Sequence, residues 1–226
     1  ADFSEGVSLT RSPLLAQPEK PFVTILGGAK VSDKIGVIKN LLPKVSALLI
    51  GGGMAYTFLK ATGIEVGKSL VEQDKLGLAA DLMKDGAARS VELILPVDHV
   101  TGNAEKKNPN TCDDRIPPDR MGLDIGPKTA QRFADKIKTA KLVLWNGPVG
   151  LFEVPPFDQG SRVLANALAE NFPRIVSIIA GGDTVAAITA AGVAEKITHL
   201  STGGGATLEF LEGRELPGVK ALEDSQ

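Results

Sequence analysis

Six short apolar runs recur along the chain, at Phe22–Leu26, Ala47–Ile50, Val91–Leu95, Leu142–Trp145, Ile175–Ile179 and, more weakly, Ile197–Leu200. Each is four or five residues long and apolar at successive rather than alternating positions. That is the pattern of strands covered on both faces, as in a parallel sheet. Between the runs the apolar positions take up helical spacing. Ile35, Ile38, Leu41 and Leu42 make one stripe, which Pro43 stops; Leu76, Leu78, Ala79, Leu82 and Met83 make a second. Phe133, Ala134 and Ile137 make a third, and Val163, Leu164, Ala167 and Leu168 a fourth. Strand alternating with helix in this way predicts a doubly wound α/β domain. Two stretches break the rhythm. Residues 1–21 carry Pro13, Pro18 and Pro21 and read as a lead-in or linker, while the polar residues 98–121, with Pro109, Pro117 and Pro118, read as a long surface excursion.

Glycine changes the picture from fold to site. Of 25 glycines, 12 stand just past a predicted strand: Gly27–Gly28, Gly51 to Gly53, Gly147 and Gly150, Gly181–Gly182, and Gly203 to Gly205. In a parallel sheet those ends share one edge, where ligands bind at the topological switch point. Glycine there admits backbone N–H groups to a ligand with no Cβ in the way; it is also what βα turns use for purely local reasons. Clusters at five strand ends favour a ligand lined by backbone, most simply one bearing phosphate.

Charged neighbours point the same way. In GGAKVSDK, Lys30 and Lys34 flank Ser32, which reads as the N-cap of the next helix. Cations in a first helical turn oppose the macrodipole, so either an anion lies between them or the pair is simply solvated. In AGGDT, Asp183 and Thr184 open a helix after a strand; Asp183 is then either a cap or a carboxylate that holds Mg²⁺. Asp98, after the third run, is polar lining or a turn residue, and Trp145 is a core residue. GIEVGKS lacks the first glycine of a Walker A loop, and no GxGxxG fingerprint follows any run. His99, His199 and Cys112 do not have metal-site spacing.

Composition then bounds the partners. Lys+Arg 25 against Asp+Glu 27 excludes broad nucleic-acid binding but permits a local anion site. No apolar run approaches the roughly 20 residues of a membrane span, and the opening residues do not read as a signal peptide. The lone thiol, Cys112, cannot form an internal disulfide, so a reducing, cytoplasmic setting is expected.

The motifs GGAKVSDK, LLIGGGMAYTFLK, LPVD, MGLDIGPKT, WNGPVGLFE, AGGDT and STGGGATLEFLEG, in this order, resemble the C-terminal, nucleotide-binding half of phosphoglycerate kinases, from about Pro21 to Leu222. The resemblance implies a three-layer α/β/α sandwich with a six-stranded parallel sheet of order 3-2-1-4-5-6. It implies a domain that binds Mg–ADP or Mg–ATP, within an enzyme of glycolysis that moves a phosphoryl group between 1,3-bisphosphoglycerate and ADP. By resemblance, Lys30 and Lys34 steady the transferring group, Asp183 holds Mg²⁺ and Thr184 bonds phosphate. Asn146 lies near the phosphates and Glu153 reaches the ribose. Gly27, Gly28, Gly52 and Gly122 line the purine pocket, and Gly181, Gly182, Gly203, Gly204 and Gly205 offer N–H groups around the reacting phosphate. Such a reaction asks for alignment and charge stabilisation rather than an acid–base residue.

The family often has glycine where this chain has Ala180, a methyl that would tighten the phosphate turn. The family's N-terminal half, which binds 3-phosphoglycerate, has no counterpart in the chain. A monomer that binds nucleotide with little turnover of its own is therefore expected. A non-catalytic nucleotide-binding or interaction module of the same fold is the alternative, and a different α/β kinase or a dehydrogenase a third reading.

Overall fold

Every residue of the run FVTIL is buried, which only a strand flanked on both edges and both faces allows. In the computed structural model, which describes residues 17–202 together with Leu15 and residues 211–213, this run is β1 (Phe22–Leu26). It lies between two parallel neighbours, β2 (Ala47–Ile50) and β7 (Leu142–Asn146). β3 (Glu92–Ile94) pairs with the far side of β2. β8 (Val176–Ala180) and β9 (His199–Ser201) extend the sheet beyond β7. The sheet order, β3-β2-β1-β7-β8-β9, is the expected 3-2-1-4-5-6 once its own strands alone are counted.

Successive side chains of a strand point to opposite faces, so one apolar run feeds two cores. Phe22, Leu26, Leu48 and Leu144 pack against α1 (Ile35–Leu41), α2 (Met54–Ala61) and α3 (Leu76–Ala88). Val23, Ile25, Leu49, Val143 and Trp145 pack against α4 (Pro127–Lys138), α5 (Gln159–Glu170) and α6 (Gly182–Ala190). Leu15 joins the first of these cores, so at that residue the lead-in packs on the domain. Trp145 is fully buried, and its indole N–H is satisfied by the Gly147 carbonyl at 2.7 Å.

The polar stretch read as a surface excursion is instead built on an antiparallel sheet, of order β5-β4-β6: β4 (His99–Gly102), β5 (Asn110–Cys112) and β6 (Met121–Ile125). Its strands are short and partly polar, and a register shift breaks the β4–β6 ladder between Val100 and Thr101. Backbone pairing rather than side-chain pattern carries it. The near-Walker segment stitches this sheet to the domain: Val66 bridges Ile116, and the Lys68 N–H donates to the Arg120 carbonyl at 2.7 Å.

Asp98 proves to be a cap contributed from outside the helix. Its carboxylate accepts the backbone N–H groups of Lys128 (2.9 Å) and Thr129 (2.8 Å) and the Thr129 hydroxyl (2.6 Å), closing the start of α4. Asp124, on β6, accepts the Ile125 N–H at 2.8 Å and the Gly160 N–H at 2.7 Å. Burial pushes its carboxyl up to about 8, against the pull of those two donors, with the charge of Asp158 adding to the rise.

A folded value above the unfolded 3.8 means that the Asp124 contribution to stability is fully present below that pH and is lost as pH rises through about 8. Buried His99 acts with the opposite sign: its pKa is lowered below 6.5, mainly by desolvation, so its contribution is lost as pH falls. Urea unfolding of the parent and of Asp124→Asn, from pH 4 to 8, separates the two. The parent is expected to lose stability relative to the variant as pH rises; parallel curves would refute a raised Asp124.

Candidate functional site

β1 and β7 are neighbours, yet the connections leaving them go to helices on opposite faces, which opens a crevice at their carboxyl ends. The two turns run against each other backbone to backbone. The Gly27 N–H donates to the Asn146 carbonyl (3.0 Å), Gly28 to Pro148 (3.0 Å) and Gly52 to Val149 (2.9 Å). A Cβ on Gly27 would lie 2.1 Å from the Pro148 oxygen, and one on Gly147 would lie 2.3 Å from the Gly27 oxygen. Gly52, at φ +66°, is as tightly enclosed, 2.6 Å from the Gly28 oxygen by the same construction. Gly27 and Gly147 are required by the crossing itself, and Gly52 by the close approach of the turn after β2.

Other predicted glycines differ. An added Cβ meets only Lys34 Cε (3.8 Å) at Gly28, only the Asn146 amide (3.1 Å) and the Thr184 hydroxyl (3.7 Å) at Gly181, and nothing within 4 Å at Gly182. Gly28 and Gly181 still call for glycine through their positive φ, +101° and +96°, whereas Gly182 has no such requirement. Gly122 stands apart, on β6 of the small sheet. The room a side chain would take there is filled by the Tyr56 hydroxyl, and its N–H donates to the Ser69 hydroxyl at 2.9 Å.

Lys34 closes the crevice. The helix it precedes begins at Ile35, so Lys34 is the flanking residue rather than a member of the first turn. Ser32 is not the cap: its N–H and hydroxyl both donate to the carboxylate of Glu72, at 3.1 and 2.5 Å. The Lys34 side chain is buried and its amine donates to the Asn146 side-chain carbonyl. Desolvation lowers its pKa, while the negative charges of Asp33 and Asp183 pull it back up.

Asn146 is itself oriented, because its amide N–H donates to the Ala180 carbonyl at 2.8 Å, which leaves only its oxygen for Lys34. The same Ala180 carbonyl accepts the Thr184 hydroxyl (2.9 Å), and that hydroxyl accepts the Gly147 N–H (2.7 Å). One carbonyl thus ties the ends of β7 and β8 together. The Ala180 methyl points into the core on the α1 face and does not tighten the turn.

Asp183 sits exposed in the first turn of α6, where unpaired N–H groups and the helix dipole favour anions. Lys30 and Glu153 are exposed on the turns after β1 and β7. Lys30, Lys34, Asn146, Gly181, Gly182, Asp183 and Thr184 therefore gather around one edge. Gly203, Gly204 and Gly205 lie outside the described residues. Glu72 escaped the sequence reading because it is 40 residues from Ser32 and no local pattern marks it.

The sequence pattern of the phosphoglycerate kinase family matches residues 8–214. The chain is 54% identical over 213 residues to a phosphoglycerate kinase of Dictyoglomus turgidum, covering 93% of this chain and 54% of that one. It is 57% identical over 210 residues to one from Clostridium novyi, covering 92% and 52%. Its fold is similar to that of phosphoglycerate kinase from Coxiella burnetii, with a TM-score of 0.90 and 40% identity over 98% of this chain and 56% of that one. The enzyme from Pyrococcus horikoshii follows at a TM-score of 0.82 and 28% identity, covering 98% and 55%. The chain spans about half the length of these relatives.

The two classes of glycine predict opposite responses. Gly27→Ala forces a methyl into a backbone carbonyl and is expected to cost at least about 2–3 kcal/mol, as overpacking does. Gly182→Ala has room and is expected to stay within about 1 kcal/mol of the parent. Denaturant unfolding followed by circular dichroism checks both, and the reverse order would refute the crossing as described.

Proposed function

The chain belongs to the phosphoglycerate kinase family, and from that premise we propose that it is the nucleotide-binding half of such a kinase. Residues 21–226 form the nucleotide-binding domain, and residues 1–20 are part of the segment leading to the other half. The ligand is Mg–ADP or Mg–ATP, and the reaction is reversible phosphoryl transfer from 1,3-bisphosphoglycerate, an acyl phosphate, to ADP. A kinase of this kind is a phosphotransferase with a carboxyl group as acceptor in the reverse direction. The observation that carries the reading is the buried amine of Lys34, aimed by Asn146 into the crevice beside the start of α6.

Each residue does a distinct part of the work. Lys34 meets a phosphate oxygen in exchange for its bond to Asn146, and exposed Lys30 adds a second cation from the same turn. Gly28, Gly181 and Gly182 keep side chains out of the path of the phosphates, while the first-turn N–H groups of α6 donate to them. Thr184 offers its backbone N–H there; its hydroxyl meets phosphate only by giving up the Ala180 carbonyl. Glu153 is left for the ribose. Asp183 would hold Mg²⁺. Among the described residues no group of three or more His, Cys, Asp or Glu could hold a metal unaided. One exposed carboxylate fits an ion that is shared with substrate phosphates and keeps several waters. When bound, Mg²⁺ supplies neutralisation of phosphate charge. Closure against the other half excludes water and brings the acyl phosphate into line, so this chain alone turns over little. Among the described residues no helix is long and apolar enough to cross a membrane.

Calorimetry tests the reading. The folded parent should bind Mg–ADP, and Lys34→Ala and Asp183→Ala should each weaken it by about tenfold or more, the scale of a lost charge-assisted bond. A folded parent that binds no nucleotide would sink the proposal. Adding a separately produced N-terminal half should restore turnover in a coupled assay. Tight binding without turnover would favour the non-catalytic module instead.

The depressed pKa of Lys34 adds a signature. Phosphate raises it again, so binding takes up protons between the free and bound values, and affinity falls as pH rises through that window. Titrations in buffers of different ionisation enthalpy should show the uptake in the parent and not in Lys34→Ala.

A further inference from the structure

The turn that carries both lysines is anchored at its two ends and exposed between them. At one end the Gly28 N–H donates to Pro148 and the Gly28 carbonyl accepts Met54; at the other, Val31 is buried and its carbonyl accepts the Lys34 N–H. Ala29, Lys30, Ser32 and Asp33 are all exposed. Among the described residues only one side chain hydrogen-bonds to residues 29–33, and it is Glu72.

That contact is bidentate. One carboxylate oxygen takes the Ser32 N–H and the other takes the Ser32 hydroxyl, so the carboxylate fixes backbone and side chain together. Glu72 is held in turn. Its own N–H donates at 3.1 Å to the hydroxyl of Thr57, a buried residue of α2, and its carbonyl accepts the Lys75 N–H at 3.0 Å. A chain of hydrogen bonds therefore runs from α2, which follows the glycine turn of β2, through Glu72 to the midpoint between Lys30 and Lys34. A negative charge near a phosphate site opposes ligand binding by Coulomb's law. What this carboxylate holds explains its place better than any attraction to the ligand.

We infer that Glu72 is a positioning residue: it staples the Lys30–Lys34 turn to α2 and sets where the two amines meet the nucleotide phosphates. The inference rests on the nucleotide reading of the site for its consequence, but not for the staple itself. Ordering of the turn is present before any ligand arrives, so binding does not have to supply it.

Two variants keep the charge and break the staple. Glu72→Asp is one methylene too short to reach both Ser32 groups, and Ser32→Ala removes the hydroxyl bond alone. Hydrogen exchange without ligand reads the staple directly. Amides of residues 29–34 should exchange severalfold faster in Glu72→Asp, with those of β1 and β7 unchanged. Calorimetry with Mg–ADP reads the consequence: an affinity roughly fivefold lower in Glu72→Asp, a smaller loss in Ser32→Ala, and a double variant no weaker than Glu72→Asp, as expected for groups that act through one contact. The losses should persist at high salt, whereas an effect of surface charge would fade.

Unchanged exchange at residues 29–34 would overturn the staple. Faster exchange with unaltered Mg–ADP affinity would overturn its role in positioning. A parent that binds no Mg–ADP would defeat the nucleotide reading, while the exchange experiment would still decide whether Glu72 holds the turn.

Discussion

The crossing of the turns after β1 and β7 is the constraint on which the rest depends. Two backbones pass with no side chain between them, joined by the Gly27–Asn146 and Gly28–Pro148 hydrogen bonds. The crossing fixes the mouth of the crevice and sets Asn146 within reach of Lys34. Because neither backbone can withdraw without unpairing a central strand, the geometry is stiff at the mouth of the crevice. Stiffness of this kind gives electrostatic sites their strength, since dipoles and charges that are already aimed need no reorganisation.

Around that crossing the polar groups are economical. The Ala180 carbonyl takes two side-chain donors, which ties β7, β8 and the start of α6 into one unit. Asn146 is oriented from behind, so its oxygen faces the buried amine of Lys34. An amine kept there against desolvation is an unfavourable arrangement for the empty protein and a favourable one for a protein meeting phosphate. Lys30, Asp183 and Glu153 are exposed, while Lys34, Asn146 and Thr184 are buried and held by hydrogen bonds.

Much of the fold was legible in advance because strands buried between two layers are apolar on both faces. FVTIL and LVLW read as strands covered on both faces, and the glycines after them fall at one sheet edge. α2 was less legible: six of its eight residues are buried, so it lacks the polar face that makes helical spacing visible. The small antiparallel sheet was missed because its strands are three to five residues long and held by backbone pairing. Ser32 looked like a cap because caps are local and Glu72 is not. Gly122 was expected in a purine pocket by resemblance, yet the room a side chain would take there is filled by Tyr56, while Gly182 has nothing within 4 Å.

The sequence by itself determined the class of fold, the sheet edge where glycine and charge gather, and the family to which the chain belongs. Those depend on short-range pattern: which positions are apolar, where glycine follows a strand, and which motifs occur in order. Only the tertiary structure decided which glycines are enclosed and which are open, that Asp98 caps a helix some thirty residues away, that Asn146 takes the Lys34 amine, and that Glu72 takes Ser32 between the two lysines. Those are contacts between residues far apart in the chain. Their energies depend on distance and burial, which no local pattern encodes.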